Sequence, residues 1–105
     1  LYNSDARYKE NIQIIDNALA GISKLEGVSY HFKTHDFSKK NFDSQIQFGL
    51  IAQDVESIYP SLVTTFEDGY KAVNYNGLIP VLIEAIKAQQ KEIDELRQLL
   101  LHAEK

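Results

Sequence analysis

The chain has 105 residues, of which 44% are hydrophobic and 25% charged, an ordinary composition for one globular domain with a modest core. A formal net charge of −4 at pH 7 gives no electrostatic footprint for nucleic acid, and no apolar run is long enough to span a bilayer. The absence of cysteine excludes a disulfide framework, a thiolate metal site and a cysteine nucleophile.

The first zone of the sequence, from Ser4 to about Leu25, carries a helical pattern that stops at Gly27. Apolar residues recur there at helical spacing, namely Ile12, Ile14, Ile15, Ala18, Leu19 and Ile22. The pattern predicts an amphipathic helix. The polar stretch before it, from Ser4 to Glu10, is compatible with an extended, a curled or a capping conformation. Because the sequence starts at Leu1 without a methionine, we expect it to be excised from a longer polypeptide.

The middle zone, from Gly27 to Val73, predicts short strands. Val28 to Phe32 alternates apolar and polar residues, as in a half-buried strand, and the polar stretch from Thr34 to Ser44 predicts a mobile loop or a hairpin tip. Apolar residues flank Asp68-Gly69 within residues 62–73, which is typical of a β-hairpin with its turn at that dipeptide.

The last zone, from Pro80 to Lys105, shows a heptad repeat. Positions a and d are occupied by Ile79, Leu82, Ile86, Gln89, Ile93, Leu96, Leu100 and Ala103. A helix over Pro80–Lys105 would be about 39 Å long at ~1.5 Å per residue, longer than a domain of this size covers with its own core. The pattern therefore predicts a parallel coiled coil between copies of the chain, with Asn74 or Asn76 as the helix cap. A solvated helix lying along its own domain is the alternative, and the repeat itself leaves dimer and trimer open.

Three stretches of the sequence resemble one known family. The stretch from Ser4 to Ile12, Ser-Asp-Ala-Arg-Tyr-Lys-Glu-Asn-Ile, is similar to the family's opening segment. Gly49 to Val55, Gly-Leu-Ile-Ala-Gln-Asp-Val, is similar to its middle segment, and Pro60 matches a proline nearby. Val73-Asn74-Tyr75 matches a Val-x-Tyr before the family's last helix. The family is that of intramolecular chaperone auto-processing domains, or chaperones of endosialidase. Its domains end phage endosialidases, tail spikes and tail fibres, and occur in bacterial surface proteins and myelin regulatory factors.

The resemblance implies self-cleavage by a Ser-Lys dyad, with Ser4 as nucleophile, Lys9 as general base and a cleavage site over Asn3, Ser4 and Asp5. A serine hydroxyl needs an adjacent base at neutral pH. A lysine serves as that base only in its neutral form, which requires desolvation or a neighbouring cation such as Arg7.

The spacing of the two residues imposes a geometric condition. On a regular helix, Ser4 and Lys9 lie roughly 140° apart, and in a strand they point to opposite sides. The segment must therefore curl, or Lys9 must meet Ser4 of a neighbouring subunit. The scissile bond stays open as well. Attack within one chain favours Asn3–Ser4, because attack by Ser4 on its own carbonyl would form a strained β-lactone, whereas the family resemblance points to Ser4–Asp5.

The fold expected from these patterns is α+β: an N-terminal helix against a short antiparallel sheet, then a long C-terminal helix that forms the coiled coil, a trimer by family resemblance. A short helix after Phe48 should end before Pro60. We expect one domain over residues 1–105, with a self-cleavage segment at 1–11, a small body at 12–77 and the coiled-coil helix at 78–105.

The resemblance implies an intramolecular chaperone that trimerises a fibrous protein preceding it, assists its folding and then releases itself. Its partners would be two further copies and the upstream part of its own polypeptide, without cofactor, metal, directly bound nucleic acid, membrane or small-molecule substrate. It would belong to a virion tail fibre or spike precursor or to a bacterial surface protein, and act in the cytoplasm of the producing cell during assembly. A non-cleaving trimerisation cap and the self-cleaving domain of a membrane-tethered transcription factor are the alternatives.

Several polar residues have simpler interpretations beside the functional ones. Ser4 and Asp5 are both suited to cap a helix. Gln53 and Asp54 either contact the folding partner or begin a short helix. The three histidines, His31, His35 and His102, show no metal-like grouping and are expected at the surface.

Overall fold

The computed structural model describes residues 1–104, which form three α-helices, four short strands and single 3₁₀ turns. The helices and strands are α1 (Ala18–Ile22), β1 (Val28–Tyr30), β2 (Gln47–Gly49), α2 (Ala52–Glu56), β3 (Val63–Thr65), β4 (Lys71–Val73) and α3 (Leu78–Ala103). The predicted α+β class, with short antiparallel strands and a long last helix, is confirmed. Within residues 1–104, no helix combines the length and apolar character that a bilayer crossing demands.

The strands pair as two antiparallel two-stranded sheets. In the first, β1 pairs with β2, and Val28 lies opposite Gly49. In the second, β3 pairs with β4, and the predicted turn closes the hairpin, with Gly69 in the left-handed region at φ 86°. The Asp68 carboxylate accepts the backbone N–H of Tyr70 at 3.0 Å, so the turn residue also fixes the start of the return strand.

The longest helix, α3, begins after a 3₁₀ turn over Tyr75–Gly77. Asn74, one of the two predicted caps, caps this 3₁₀ turn, because its side-chain oxygen accepts the backbone N–H of Gly77 at 3.3 Å. The N-cap of α3 itself is Gly77, so the prediction that Asn74 or Asn76 caps the long helix is wrong. Pro80 is the third residue of α3, within the first turn, where a missing N–H leaves no helical hydrogen bond broken.

The small core lies between α1 and α3. Ala18 of α1 and Val81 and Ala85 of α3 are buried, and three partly buried residues pack around them, namely Leu19, Ile22 and Tyr59. The prediction that the first helix packs against a sheet is therefore wrong. Small side chains let the two helices approach closely, whereas three-residue strands offer little apolar surface.

The first helix is also much shorter than predicted, because it begins at Ala18 rather than near Ile12. Asn11 and Asn17 take left-handed backbone conformations, with φ of 54° and 55°, which interrupt a right-handed helix on both sides of the intervening segment. Ile12 and Ile14 are 72% and 79% exposed, so a single chain provides no core that would stabilise a helical turn there.

The chain as a whole is elongated. Its Cα radius of gyration is 19.0 Å and its extents are 66 × 38 × 25 Å, whereas a compact domain of this length has a radius of gyration of about 13 Å. Val55 is fully buried, but most large apolar side chains of α3 are exposed. One chain therefore leaves much of its apolar surface in water.

Two segments of the family resemblance meet at the hydroxyl group of Tyr75. This hydroxyl accepts the backbone N–H of Leu50 at 3.0 Å and donates to the Leu50 carbonyl at 3.4 Å. A Cβ atom at Gly49 would lie 2.6 Å from the same hydroxyl oxygen and 3.4 Å from the ring of Tyr30. Glycine is required at position 49 because the tyrosine approaches the backbone there.

We expect Gly49→Ala to lower the free energy of unfolding by about 1–3 kcal/mol, because the new methyl group overlaps the Tyr75 hydroxyl. Urea denaturation measures the change. Gly27→Ala is the matched control, since a Cβ atom there meets no heavy atom within 4 Å, and its effect should stay within about 0.5 kcal/mol. Equal free energies of unfolding for the two variants would show that a methyl group at position 49 is accommodated beside Tyr75 without loss of stability.

Candidate active site

The segment that contains Ser4 and Lys9 curls around a single 3₁₀ turn, Ala6–Tyr8. The backbone N–H groups of Tyr8 and Lys9 donate to the carbonyls of Asp5 and Ala6 at 3.0 and 3.1 Å. Asp5 and Lys9 on either side of the turn are extended. The Lys9 ammonium consequently lies 2.8 Å from Ser4 Oγ and donates a hydrogen bond to it within the same chain. Of the two arrangements that the spacing left open, the structure contains the curl.

A carboxylate–guanidinium clasp closes the turn. Asp5 is its N-cap and accepts the backbone N–H of Arg7 at 2.9 Å. The Arg7 guanidinium also binds both carboxylate oxygens, with Nε 3.1 Å from Oδ1 and a terminal nitrogen 2.9 Å from Oδ2. The guanidinium, and next the backbone N–H, lower the pKa of Asp5, while the carboxylate raises the pKa of Arg7. Arg7 was one candidate for the neighbouring cation that would favour neutral Lys9. In the structure, its guanidinium is instead paired with the Asp5 carboxylate.

The pair is open to water in a single chain. Every residue from 1 to 17 is exposed, including Asn3, Ser4 and Lys9. A lysine in water is a cation and cannot accept a proton from a serine hydroxyl. The structure therefore brings Lys9 into contact with Ser4 but leaves both side chains exposed to water.

The predicted oligomerisation residues form one uncovered face of α3. All seven are exposed in the single chain, namely Ile79, Leu82, Ile86, Gln89, Ile93, Leu96 and Leu100. The isoleucine and leucine members range from 39% exposed at Ile93 to 64% at Leu100. The core residues Val81 and Ala85 lie on a different face, which α1 covers. The structure thus leaves the heptad face free for a partner.

Gln53 and Asp54 occupy the first turn of α2, whose N-cap is Ile51. Both are exposed, but they face different surroundings. Gln53 lines a cleft of about 790 Å³, together with aromatic residues such as Tyr30 and Phe32, and Asp54 does not. Of the two, Gln53 is therefore the one placed to contact a ligand or partner in that cleft.

No group of three or more His, Asp or Glu side chains within residues 1–104 is placed to hold a metal ion. Sequence reasoning missed one contact near Ser4, in which the side-chain amide of Asn76 donates a hydrogen bond to the hydroxyl group of Tyr2. A contact between residues 74 positions apart leaves no periodic signal, and Asn76 had been considered only as a helix cap.

Comparison with known proteins gives one family and several phage relatives. The family model described as chaperone of endosialidase matches residues 4–64. The long tail fiber protein Gp37 of Salmonella phage S16 is 36% identical over 104 residues, which cover 93% of this chain and 14% of that protein. The Gp37 proteins of Escherichia phage AR1 and Enterobacteria phage K3 are 36% and 32% identical, over 79% and 93% of this chain. The chain spans only a small part of the length of these relatives.

The Asp5–Arg7 clasp should depend on pH in a defined direction. Because the pKa of Asp5 is lowered in the folded chain, its stabilising effect is present above the ordinary carboxyl pKa and is lost as the pH falls through the lowered value. We expect the clasp to be unchanged at neutral pH and to open only when the pH falls below the ordinary range of a carboxyl group, because the pKa of Asp5 is lowered.

Titration of the Asp5 carboxyl carbon by NMR measures this pKa directly. In Arg7→Gln the main cause of the shift is removed, so the pKa of Asp5 should return toward its ordinary range. An identical titration midpoint in the Arg7→Gln and wild-type chains would mean that the guanidinium does not hold the carboxylate in solution.

Proposed function

We propose a function from one premise: the chain belongs to the chaperone of endosialidase family. It acts as an intramolecular chaperone that trimerises a fibrous protein preceding it, a phage tail fibre to judge from its relatives, and then releases itself by cleavage near Ser4. The observation that carries the proposal is the 2.8 Å contact between Lys9 Nζ and Ser4 Oγ, inside the matched segment.

The reaction proposed for this pair is a single acyl transfer followed by hydrolysis. Neutral Lys9 takes the proton of the Ser4 hydroxyl as Oγ attacks a peptide carbonyl carbon. The C–N bond breaks, the departing nitrogen takes the proton back from Lys9, and an ester remains. Water then hydrolyses the ester to a carboxylate and regenerates the hydroxyl group. Each chain performs this sequence once.

Two bonds remain candidates for cleavage. Attack by Oγ on the carbonyl of Asn3 passes through an unstrained five-membered ring within one chain, and the hydrogen bond between Lys9 and Ser4 also lies within one chain. The family resemblance instead points to the bond between Ser4 and Asp5. The N-terminal residue of the released fragment distinguishes them, because it is Ser4 in the first case and Asp5 in the second.

Assembly supplies what the single chain lacks. In the single chain, the apolar residues of the heptad face and the side chains of Ser4 and Lys9 are exposed to water. The proposed function requires both to be covered. Association of three α3 helices holds three upstream chains together and in register, which reduces the loop-closure entropy that opposes folding of a fibre. Cleavage afterwards removes the template, so the fibre keeps its fold through a high unfolding barrier.

Ser4→Ala and Lys9→Ala should each abolish release, because one removes the nucleophile and the other the base. The chain is expressed with the polypeptide that naturally precedes it, and processing is followed on denaturing gels. Ser44→Ala and Lys24→Ala, which alter exposed residues elsewhere, should be processed like wild type.

A mixing experiment tests the within-chain arrangement. Since Lys9 contacts Ser4 of its own chain, co-expression of Ser4→Ala and Lys9→Ala chains should restore no cleavage. Restored cleavage would show that the dyad is shared between subunits. Complete processing of either single variant would remove that residue from the mechanism.

Ile93→Asp should dissociate the assembly and slow processing, because it places an unpaired charge in the heptad face. Leu101→Asp is the matched control, since Leu101 is also apolar and exposed on α3 but lies outside positions a and d. Sedimentation equilibrium should give a trimer for wild type and Leu101→Asp, and smaller species for Ile93→Asp.

Wild-type processing by an Ile93→Asp monomer would show that the dyad works without assembly. A stable wild-type monomer at high micromolar concentration would refute the coiled coil. A trimer that forms but never cleaves would leave the non-cleaving trimerisation cap as the function.

A further inference from the structure

The chain on the upstream side of Ser4 is tied to the folded body at one point. The Asn76 side-chain amide donates a hydrogen bond to the hydroxyl group of Tyr2, two residues before Ser4. Among the side-chain hydrogen bonds within residues 1–104, this one joins the residues farthest apart in sequence. It connects the cleavage segment to the turn from which α3 starts.

Asn76, the donor of this hydrogen bond, lies in a turn that several hydrogen bonds hold in place. Asn76 is the central residue of the 3₁₀ turn Tyr75–Gly77, which the Asn74 side chain caps at 3.3 Å. The neighbouring Tyr75 is fixed by its hydroxyl contacts with the Leu50 backbone. The Asn76 amide therefore reaches its position only when β2, the turn and the start of α3 are folded.

Without this hydrogen bond, the upstream residues have little to orient them. Leu1 and Tyr2 are exposed, Tyr2 at 79%, and neither they nor Asn3 makes another side-chain hydrogen bond within residues 1–104. On the downstream side, the Asp5–Arg7 clasp already fixes the chain. A peptide carbonyl reacts efficiently only when it is held close to its nucleophile and correctly oriented.

We propose that Asn76 is a positioning residue for self-cleavage, which holds the chain upstream of Ser4 and makes cleavage conditional on a folded body. The inference rests on the proposed function, because it concerns the same reaction. Within residues 1–104, Asn76 forms no hydrogen bond with Ser4 Oγ or with Lys9 Nζ. Its proposed effect on cleavage is therefore transmitted through Tyr2.

The sharpest test is Tyr2→Phe, which removes the hydroxyl oxygen and keeps the ring. With the naturally preceding polypeptide attached, the rate of processing should fall about three- to tenfold, as expected for one hydrogen bond. Tyr70→Phe is the control, because Tyr70 is 60% exposed and its hydroxyl group makes no hydrogen bond within residues 1–104. It should be processed at the wild-type rate.

Variants of Asn76 separate positioning from folding. Asn76→Ala should slow processing as much as Tyr2→Phe does, and the double variant should be no slower than either, because both remove the same contact. Asn76→Asp should restore part of the rate, since its carboxylate accepts a hydrogen bond from the Tyr2 hydroxyl, and it should restore none in the Tyr2→Phe background. The free energy of unfolding should be the same for Tyr2→Phe and wild type.

The outcomes distinguish this inference from the function on which it rests. Wild-type processing by Tyr2→Phe, or additive losses in the double variant, would overturn the role of Asn76 and leave self-cleavage intact. Failure of the wild-type chain to process itself at all would overturn the proposed function and the role of Asn76 with it.

Discussion

The packing of α1 against α3 decides which surfaces of the chain remain open. α3 buries Leu78, Val81 and Ala85, and α1 meets this face through Ala18. The helix is 26 residues long, however, and α1 has only five residues, so most of α3 extends past its partner. The uncovered heptad face, the elongated shape and the small core all follow from this mismatch in length. A single chain built in this way buries less of its surface than is typical of a domain of its size, which supports the proposed association of α3 helices.

In the candidate active site, Lys9 already contacts Ser4, but both residues are exposed to water. One 3₁₀ turn and the Asp5–Arg7 clasp bring Lys9 to Ser4 using local interactions alone, so the pair forms within a single chain. Water still surrounds it, and a solvated ammonium donates protons rather than accepting them. Since Asp5 already neutralises Arg7, the remaining route to a neutral lysine is desolvation. The contact between Ser4 and Lys9 together with their exposure is what the proposed activation by assembly would leave in a single chain.

The sequence predicted the elements whose signals are local or periodic. The hairpin followed from Asp68-Gly69, and the last helix from its heptads, because turn chemistry and periodicity are legible within a few residues. The apolar spacing from Ile12 to Ile22 predicted a helix whose first part is not formed, since the helix begins only at Ala18. A periodic pattern does not specify which surface the apolar side chains pack against, and Ile12 and Ile15 are exposed. Packing of α1 on α3 and the contact of Tyr2 with Asn76 join distant residues. Such contacts depend on the whole fold, so no local pattern reports them.

Under the proposed function, the contact that positions the cleavage segment must also let the released domain separate. Whichever bond is cut, Tyr2 stays with the upstream polypeptide and Asn76 with the released domain. Before cleavage, their hydrogen bond joins parts of one chain and forms at a high effective concentration. After cleavage, it joins two molecules, and one exposed hydrogen bond of about 0.5–1.5 kcal/mol is far too weak to hold them together. An interaction sufficient to orient the chain during the reaction is therefore weak enough to let the products separate.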